Sequence, residues 1–399
     1  MTDLLVAGGT VLTPDGPVRA DVTVAEGRVT SVAPRSEAAA GVPADEAHRL
    51  DATGLVVAPG FVDLQCNGAA GIDLTAEPDR LWDVAAALPR WGVTAWLPTI
   101  VTSAPAARAR ARAALAAGPS APGAPAAVPL GLHLEGPFLA PDHRGAHDPG
   151  LIVPPSPALV AAEGWDRRDG VALVTLAPEL PGALDVVREL VARGVVVAAG
   201  HTAATAAEAT AAIDAGVRSV THLFNAMAPL HHREPGLAGV ALTDERVHVG
   251  LIADGVHLAP TMVALAARQL GPRLALVTDA AAALGASARR VRLGGLTATV
   301  SEADGALRLD DGTLAGSTLA LDRAVRNLKA FAGVSLAEAV RAVTAVPAAV
   351  LGLDDRGVVA PGAVGDLVVL TPDGHVVATV VAGRLAHGPT PSGRHPWRS

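Results

Sequence analysis

Short apolar segments rich in β-branched residues alternate with helical patterns between about residues 56 and 350. The segments are apolar nearly throughout, which is typical of strands covered on both faces. Eight such strand–helix units predict a closed, parallel (β/α)8 barrel of the TIM type. The predicted strands are Leu55–Val62, Thr94–Thr99, Val128–Leu134, Val171–Ala177, Val195–Ala199, Ser219–His222, Val247–Ile252 and Leu274–Thr278.

Helices and one insertion fill the gaps between these strands. Ala104–Pro129 combines an arginine-rich helix with a Gly/Pro/Ala loop, and we expect it to be a solvated surface excursion. Alternating residues around two turns predict a β insertion over Ala288–Leu309, followed by a loop at Gly312–Ser317 that is placed to fold over a pocket. The predicted helices are Leu81–Trp91, Leu184–Arg193, Ala203–Ala215 and Ser317–Phe331.

Both chain ends read as short strands separated by turns. Isolated hairpins are barely stable, so the two ends are expected to pair over a shared core. The prediction is therefore a small β-sandwich domain built from residues 1–55 and 353–399, with the barrel over residues 56–352.

Composition restricts the partners and the compartment. The net charge is −8, from 31 basic and 39 acidic residues, and no block of basic residues is long enough to follow phosphates. This argues against nucleic acid or an anionic membrane as a partner. Cys66 is the sole cysteine, and the N-terminus has an acid at Asp3 and no basic segment. We expect a cytoplasmic protein with no disulfide, signal peptide or membrane span.

Polar side chains follow four of the predicted strands. Glu135, His201 and His222 each end an apolar run, and Asp279 follows the eighth strand. Each alone is more often structural, but four strand ends of one barrel meet at the same rim. One carboxylate and two imidazoles are the ligand set of an open, water-activating divalent metal site. Asp279 stands where a carboxylate is needed to move a proton from water to a leaving nitrogen, so the set predicts hydrolysis of an amide, ester or related bond.

Longer motifs around these residues resemble the amidohydrolase superfamily, and within it the deacetylases of phosphorylated amino sugars. The resemblance implies release of acetate from N-acetylglucosamine 6-phosphate, giving glucosamine 6-phosphate. It runs through nearly the whole chain and rests on P-G-F-V-D-L-Q-C-N-G (59–68), H-L-E-G-P-F (133–138), G-A-H (145–147), G-H-T (200–202), T-H-L-F-N-A-M-A-P-L-H-H-R-E-P-G (221–236), D-G-V-H (254–257), V-T-D-A (277–280) and L-A-G-S (314–317).

The resemblance also implies roles for individual residues. Glu135, His201 and His222 match the metal ligands, Asp279 the acid and base, and His147 the group that polarises the acetyl carbonyl. Two alternatives without a role in function stay open: a solvent-exposed turn residue in place of a catalytic one for His147, and a solvated surface charge in place of a phosphate ligand for Arg233. The residues that match the substrate-binding positions are Ala146, His147, Asn225, Ala226, Arg233, His257, Leu314, Ala315 and Gly316.

The number of metal ions follows from what this chain lacks. Many amidohydrolase barrels place H-x-H after the first strand and bridge two metals through a modified lysine. Here Gln65 and Asn67 occupy those places, and the sole lysine, Lys329, follows all eight strands. We expect one divalent ion per subunit, with zinc preferred and Fe²⁺, Mn²⁺ or Co²⁺ left open. Gln65 either hydrogen-bonds the activated water or is an ordinary polar strand end, and Cys66 should point away from it.

The resemblance implies a homodimer, with Arg233 and His257 serving across the interface. His231 and His232 are expected to be structural. Two alternatives remain. One is an amidohydrolase for another N-acyl substrate, such as a different N-acetylhexosamine phosphate or an N-acyl amino acid, and the other is a non-catalytic scaffold. Asp148 and Ala281–Ala283 depart from the family pattern and affect the expected substrate contacts more than the reaction.

Overall fold

The computed structural model describes residues 4–34, 49–119 and 125–389. Its strands are β1 Leu4–Thr13, β2 Gly16–Ala25, β3 Arg28–Pro34, β4 Arg49–Asp51, β5 Val56–Pro59, β6 Phe61–Cys66, β7 Gly68–Ala69, β8 Ile72–Asp73, β9 Val93–Val101, β10 Val128–Pro129, β11 Leu132–Glu135, β12 Val171–Leu176, β13 Val196–Ala199, β14 Ser219–Val220, β15 His248–Leu251, β16 Leu274–Leu276, β17 Arg290–Leu293, β18 Leu296–Val300, β19 Leu307–Arg308, β20 Leu367–Leu370, β21 Val376–Val381 and β22 Arg384–His387.

Ten α-helices connect these strands within the described residues. They are α1 Leu81–Ala87, α2 Pro105–Ala117, α3 Pro157–Glu163, α4 Ala183–Ala192, α5 Ala206–Ala215, α6 Gly236–Thr243, α7 Pro260–Leu270, α8 Leu321–Ala332, α9 Leu336–Arg341 and α10 Ala345–Val350. Among the described residues, no helix has the length and apolar character needed to cross a membrane.

Eight parallel strands form the predicted barrel. They follow the order β6, β9, β11, β12, β13, β14, β15 and β16, each hydrogen-bonded to the next. The first and last strands meet through the Asp279 N–H, which donates to the Gln65 carbonyl at 2.9 Å, and the Asn67 N–H, which donates to the Ala280 carbonyl at 2.7 Å. Because the chain runs in one direction in every strand, all strand ends that carry candidate ligands lie at one rim.

The two chain ends pair over a shared core, as predicted for the small β domain, and their strands form one separate sheet. Its eight strands include β1 to β5 and β20 to β22, and most neighbours are antiparallel. One face buries Val57, Leu367 and Val369 in a core of its own, while Val368 and Leu370, on the opposite face, pack against the barrel core. Alternation along the strands thus lets one sheet serve two cores.

The strand predicted over Leu55–Val62 divides in two at Gly60. Val56–Pro59 belongs to the small sheet, where it pairs with β1 and β20, and Phe61–Cys66 begins the barrel. Gly60 passes so close to the Thr94 side chain that a Cβ would collide with it. A continuous apolar run hides this division, because strands of both units are equally hydrophobic. The predicted division into domains stays a prediction.

Several predicted helix ends were displaced by turns. The helix predicted from Ser317 begins at Leu321, and the one predicted from Ala203 begins at Ala206, after the side chain of Thr205 caps it. The helix expected over Leu81–Trp91 tightens into a 3₁₀ turn from Leu88, where Pro89 removes a backbone donor. The β insertion after the eighth strand is present as the three-stranded antiparallel sheet β17–β18–β19.

The prediction that Ala104–Pro129 is a solvated surface segment is wrong for one of its arginines, Arg108. The Arg108 side chain on α2 is 4% exposed and pairs with Glu163 at 2.8 Å through Nε. The Glu163 carboxylate also accepts from the Trp165 indole N–H at 3.1 Å. A run of alternating alanines and arginines does not reveal which arginine turns inward, because that depends on α3 lying beside α2. The loop residues 120–124 lie outside the described residues.

Replacing Arg108 with alanine is expected to lower the free energy of unfolding by about 3 kcal/mol, because the Glu163 carboxylate would remain partly buried without its partner. The measurement is chemical unfolding followed by intrinsic fluorescence. Arg110→Ala is the matched control, since Arg110 lies on the same helix and is 52% exposed. Its loss should cost about 0–1 kcal/mol. Equal effects of the two variants would contradict a structural role for the Arg108 pair.

Candidate metal centre and active site

Glu135, His201 and His222 meet at the carboxyl rim of the barrel. Glu135 ends β11, and the two histidines follow β13 and β14 directly. Glu135 Oε1 lies 3.1 Å from His201 Nε2 and 3.2 Å from His222 Nε2, and the two Nε2 atoms are 3.1 Å apart. All three side chains are at least 95% buried. Strand order therefore brings together the three groups that the sequence predicted as ligands.

The hydrogen bond on the far side of the His201 ring fixes its tautomer. His201 Nδ1 lies 2.9 Å from the backbone carbonyl of His143. A carbonyl only accepts, so Nδ1 carries the hydrogen and the lone pair of Nε2 points into the site. His222 Nδ1 has no hydrogen-bond partner among the described residues.

A metal ion fits the space between these atoms. A carboxylate oxygen and two imidazole Nε2 atoms face one another within 3.2 Å. Ligands bound to a tetrahedral Zn²⁺ at about 2.0–2.1 Å are separated by about 3.3 Å, which is close to these distances. Burial raises the pKa of Glu135, but the interactions of its carboxylate with the neighbouring His201 and His222 imidazoles outweigh burial and hold that pKa well below its usual range. The carboxylate is thus kept ionised, as a ligand must be.

His147 is suited to donate a hydrogen bond into the site. Its Nδ1 accepts the Thr102 backbone N–H at 3.2 Å, so in the neutral ring the hydrogen lies on Nε2. Burial, with a further contribution from the neighbouring His201 imidazole, lowers the pKa of His147 to about 3, so the ring is neutral. Its Nε2 lies 3.8 Å from Glu135 Oε2.

His147 is also near enough to Glu135 and His201 to complete a ligand group with them. The Thr102 N–H argues against that arrangement, because an Nε2 that carries hydrogen has no lone pair for a metal. His222 is the better third ligand. The open alternative of a solvent-exposed turn for His147 is wrong, since the residue is 5% exposed.

Two amides hold the Asp279 carboxylate at the same rim. Gln65 Nε2 donates to Asp279 Oδ1 at 3.1 Å and to Glu135 Oε1 at 2.8 Å, while Asn67 Nδ2 donates to Asp279 Oδ1 at 2.7 Å. Burial, with the nearby charge of Glu135, raises the pKa of Asp279 to about 6. A carboxyl group with a pKa near neutrality exchanges its proton readily in both directions. Gln65 thus links the two carboxylates.

Cys66, the residue after Gln65, lies in the barrel core, with Sγ near the Gly68 carbonyl.

Three of these clustered residues have left-handed backbone conformations. The φ angles are 50° at His201, 29° at His222 and 48° at Asp279. Side chains with a Cβ are strained there, and such strain concentrates at functional sites.

Most of the remaining predicted residues line one cavity above this centre, and two do not. Ala315 is buried beneath the loop, in the apolar cluster of the insertion. Arg233 is exposed, and its guanidinium contacts the neighbouring His232 Nε2 at 2.9 Å. Lys329 lies in the last turn of α8. The predicted residues that line the cavity are Glu135, Ala146, His147, His201, His222, Asn225, Ala226, His257, Asp279, Leu314 and Gly316.

Sequence reasoning missed several residues of the site. Thr102 follows the second barrel strand directly and holds His147, so its position at a strand end was an available signal. Asn67 was noted as a replacement for a histidine, but its hydrogen bond to Asp279 was not predicted. Val101 and Leu293 also line the cavity, and nothing in their apolar neighbourhoods marks them in the sequence.

Comparison with known proteins identifies the class. The model of the amidohydrolase family matches residues 56–386, and the chain belongs to that family. Among curated relatives, the N-acetylgalactosamine-6-phosphate deacetylase of Escherichia coli O157:H7 is 39% identical over 83% of this chain and 88% of its own length. The human N-acetylglucosamine-6-phosphate deacetylase is 38% identical over 86% of this chain and 85% of its own.

Solved structures agree with this assignment. A variant of N-acetyl-D-glucosamine-6-phosphate deacetylase from Mycobacterium smegmatis, in complex with N-acetyl-D-glucosamine-6-phosphate, is 38% identical with a TM-score of 0.86. The match covers 96% of this chain and 99% of that one. The enzyme of the same name from Thermotoga maritima has a TM-score of 0.85 at 34% identity and covers 97% and 100% of the two chains.

Proposed function

We propose that this protein removes the acetyl group from N-acetylglucosamine 6-phosphate, producing glucosamine 6-phosphate and acetate. The observation that carries the proposal is the Glu135–His201–His222 cluster with Asp279 beside it at one buried rim. Relatives that share most of the chain act on N-acetylhexosamine 6-phosphates. The intact ligand and carboxylate positions argue against a non-catalytic scaffold.

Glu135, His201 and His222 would hold one divalent metal ion, most naturally zinc, since two imidazoles and a carboxylate are a common zinc set. When bound, such an ion polarises a carbonyl and makes water acidic. The described part of the chain gives no bridging lysine near the site, because Lys329 lies on α8. Gln65 and Asn67 donate to carboxylates there, so we propose a single ion per chain.

The protein side chains perform the proton transfers. Asp279 accepts a proton from the attacking water and then returns it to the amide nitrogen, so that the amine leaves neutral. Gln65 and Asn67 orient its carboxylate through hydrogen bonds at 3.1 and 2.7 Å. The Nε2–H of His147 donates to the acyl oxygen, where negative charge develops. Asn225, Ala226, His257, Leu314 and Gly316 surround the sugar, with Ala146 beside His147.

Phosphate binding would require a second copy of the chain. Arg233 is exposed and does not line the cavity of its own chain, so we propose a homodimer in which it reaches the partner's cavity. The phosphorylated substrate and the single cysteine favour a cytoplasmic location. The rival substrate class is another N-acyl compound, and the similarity to a galactosamine enzyme makes the epimer the leading alternative.

The proposal is tested by measuring acetate release from N-acetylglucosamine 6-phosphate, its galactosamine epimer and the unphosphorylated sugar, before and after chelation. We expect the highest kcat/KM for the phosphorylated glucosamine substrate and loss of activity on chelation. A higher kcat/KM for the epimer or for the unphosphorylated sugar, or activity that survives chelation, would contradict it.

Arg233→Ala should lower kcat/KM for the phosphorylated sugar by roughly ten- to a hundredfold, because a charged hydrogen bond to phosphate is lost. The unphosphorylated sugar lacks that partner, so its turnover should barely change. Arg268→Ala, which removes an exposed arginine of α7, is the control. Equal losses for both sugars would make Arg233 structural.

A further inference from the structure

Three apolar side chains line the cavity beside His147. Val101, Ala146 and Leu293 are each at least 91% buried and belong to an apolar cluster separate from the barrel core. We infer that these three residues, called here the acyl wall, receive the acyl chain of the substrate and restrict it to acetyl size. The inference rests on the proposed function and adds a specificity determinant to it.

Two residues of the acyl wall are adjacent in sequence to His147 and to Thr102, which positions it. Val101 precedes Thr102, whose N–H and Oγ lie 3.2 and 2.9 Å from His147 Nδ1, and Ala146 precedes His147 itself. With the acyl oxygen at His147 Nε2 and the nitrogen facing Asp279, the acyl chain must take the remaining direction in the amide plane. The cavity-lining residues next to Thr102 and His147 in the chain, Val101 and Ala146, are apolar.

Amide geometry and barrel geometry agree on the side of the cavity. In a trans amide the acyl chain points away from the group on nitrogen, which is the sugar. Asn225 follows the sixth barrel strand, whereas Val101 ends the second, and Ala146 lies on the loop after the third strand. In an eight-stranded barrel the second and sixth strands are opposite each other, which places Val101 across the cavity from Asn225. A sugar held by the polar side therefore directs its acyl chain to the acyl wall.

The insertion holds Leu293 rigidly in place. Leu293 ends β17, and the next residue, Gly294, donates its N–H to Asp73 Oδ2 at 2.7 Å. Asp73 is 2% exposed and also accepts the Thr75 N–H at 3.1 Å. A Cβ at Gly294 would lie 3.1 Å from Val101 Cγ2, so the hairpin tip packs tightly against the wall. Asp73 thus acts as a positioning residue for Leu293.

The test compares kcat/KM for the N-acetyl and N-propionyl derivatives of glucosamine 6-phosphate, measured by release of the amine. Leu293→Ala should raise the propionyl-to-acetyl ratio about tenfold, because space for one methylene is worth roughly that factor. Val291→Ala is the matched control, since Val291 lies two residues earlier in β17 and packs in the same cluster without lining the cavity. It should leave the ratio at the wild-type value.

Two further variants give independent readouts. Asp73→Asn removes one acceptor from the hairpin anchor and should raise the same ratio by a smaller factor than Leu293→Ala. Leu293→Phe narrows the site and should shift preference from N-acetyl towards N-formyl, which remains measurable if the alanine variant fails to fold. An unchanged ratio in the folded Leu293 variants, with wild-type enzyme active, would overturn the acyl wall. Absence of wild-type acetate release would instead overturn the proposed function.

Discussion

Asp279→Asn is expected to lower kcat by about 10²–10⁴-fold while metal content and substrate affinity stay near wild type. The amide has nearly the same shape but cannot accept the proton of the attacking water. Its oxygen can still accept the hydrogen bonds that Gln65 and Asn67 donate to Oδ1. Single-turnover kinetics and calorimetric titration of substrate separate the loss of chemistry from any loss of binding.

The control for this variant is Asp63→Asn. Asp63 is buried in β6 and accepts the Thr278 hydroxyl at 2.6 Å, one residue before Asp279, but it does not line the cavity. Its replacement disturbs the same strand junction without touching the reacting groups, so its effect on kcat should be much smaller. If Asp279→Asn kept more than about a tenth of wild-type kcat, another group would have to be the base.

The barrel and the ligand cluster were predictable because both follow from local patterns. Continuous apolar runs indicate doubly covered strands, and parallel strands bring their ends to one rim. Glu135, His201 and His222 therefore needed no tertiary information beyond strand order. The positive φ angles of His201, His222 and Asp279 were not predictable, because they depend on the turn that follows each strand.

Features that depend on contacts between distant segments were not predictable. Val56–Pro59 belongs to the small sheet because it pairs with β1 and β20. The apolar sequence of the predicted strand Leu55–Val62 carries no information about those partners. The inward turn of Arg108 depends on Glu163, 55 residues later. Leu293 reaches the cavity because Gly294 bonds to Asp73, which lies 221 residues away in sequence. Arg233 is exposed in the single chain. Its proposed contact with the phosphate depends on a second copy of the chain, so the fold of one chain does not reveal it.

His201→Ala is expected to abolish stoichiometric metal binding and nearly all turnover. It removes one of three protein ligands and leaves Glu135 Oε1 and His222 Nε2, 3.2 Å apart, as the only members of the cluster. His222→Ala should have the same consequence, because the two imidazoles are equivalent in the proposed ligand set. Elemental analysis after dialysis gives metal per chain, and acetate release gives turnover.

His143→Ala is a matched control, because its backbone carbonyl still accepts from His201 Nδ1 when the His143 side chain is removed. That variant should keep its metal and most of its activity, which distinguishes loss of a ligand from loss of any histidine near the rim. Excess zinc is expected to restore part of the metal content of His201→Ala but little of its rate, since two ligands bind the ion weakly and leave it poorly oriented. Full metal occupancy and activity in either His201→Ala or His222→Ala would remove that histidine from the ligand set and leave His147, which lies beside Glu135 and His201, as the third candidate.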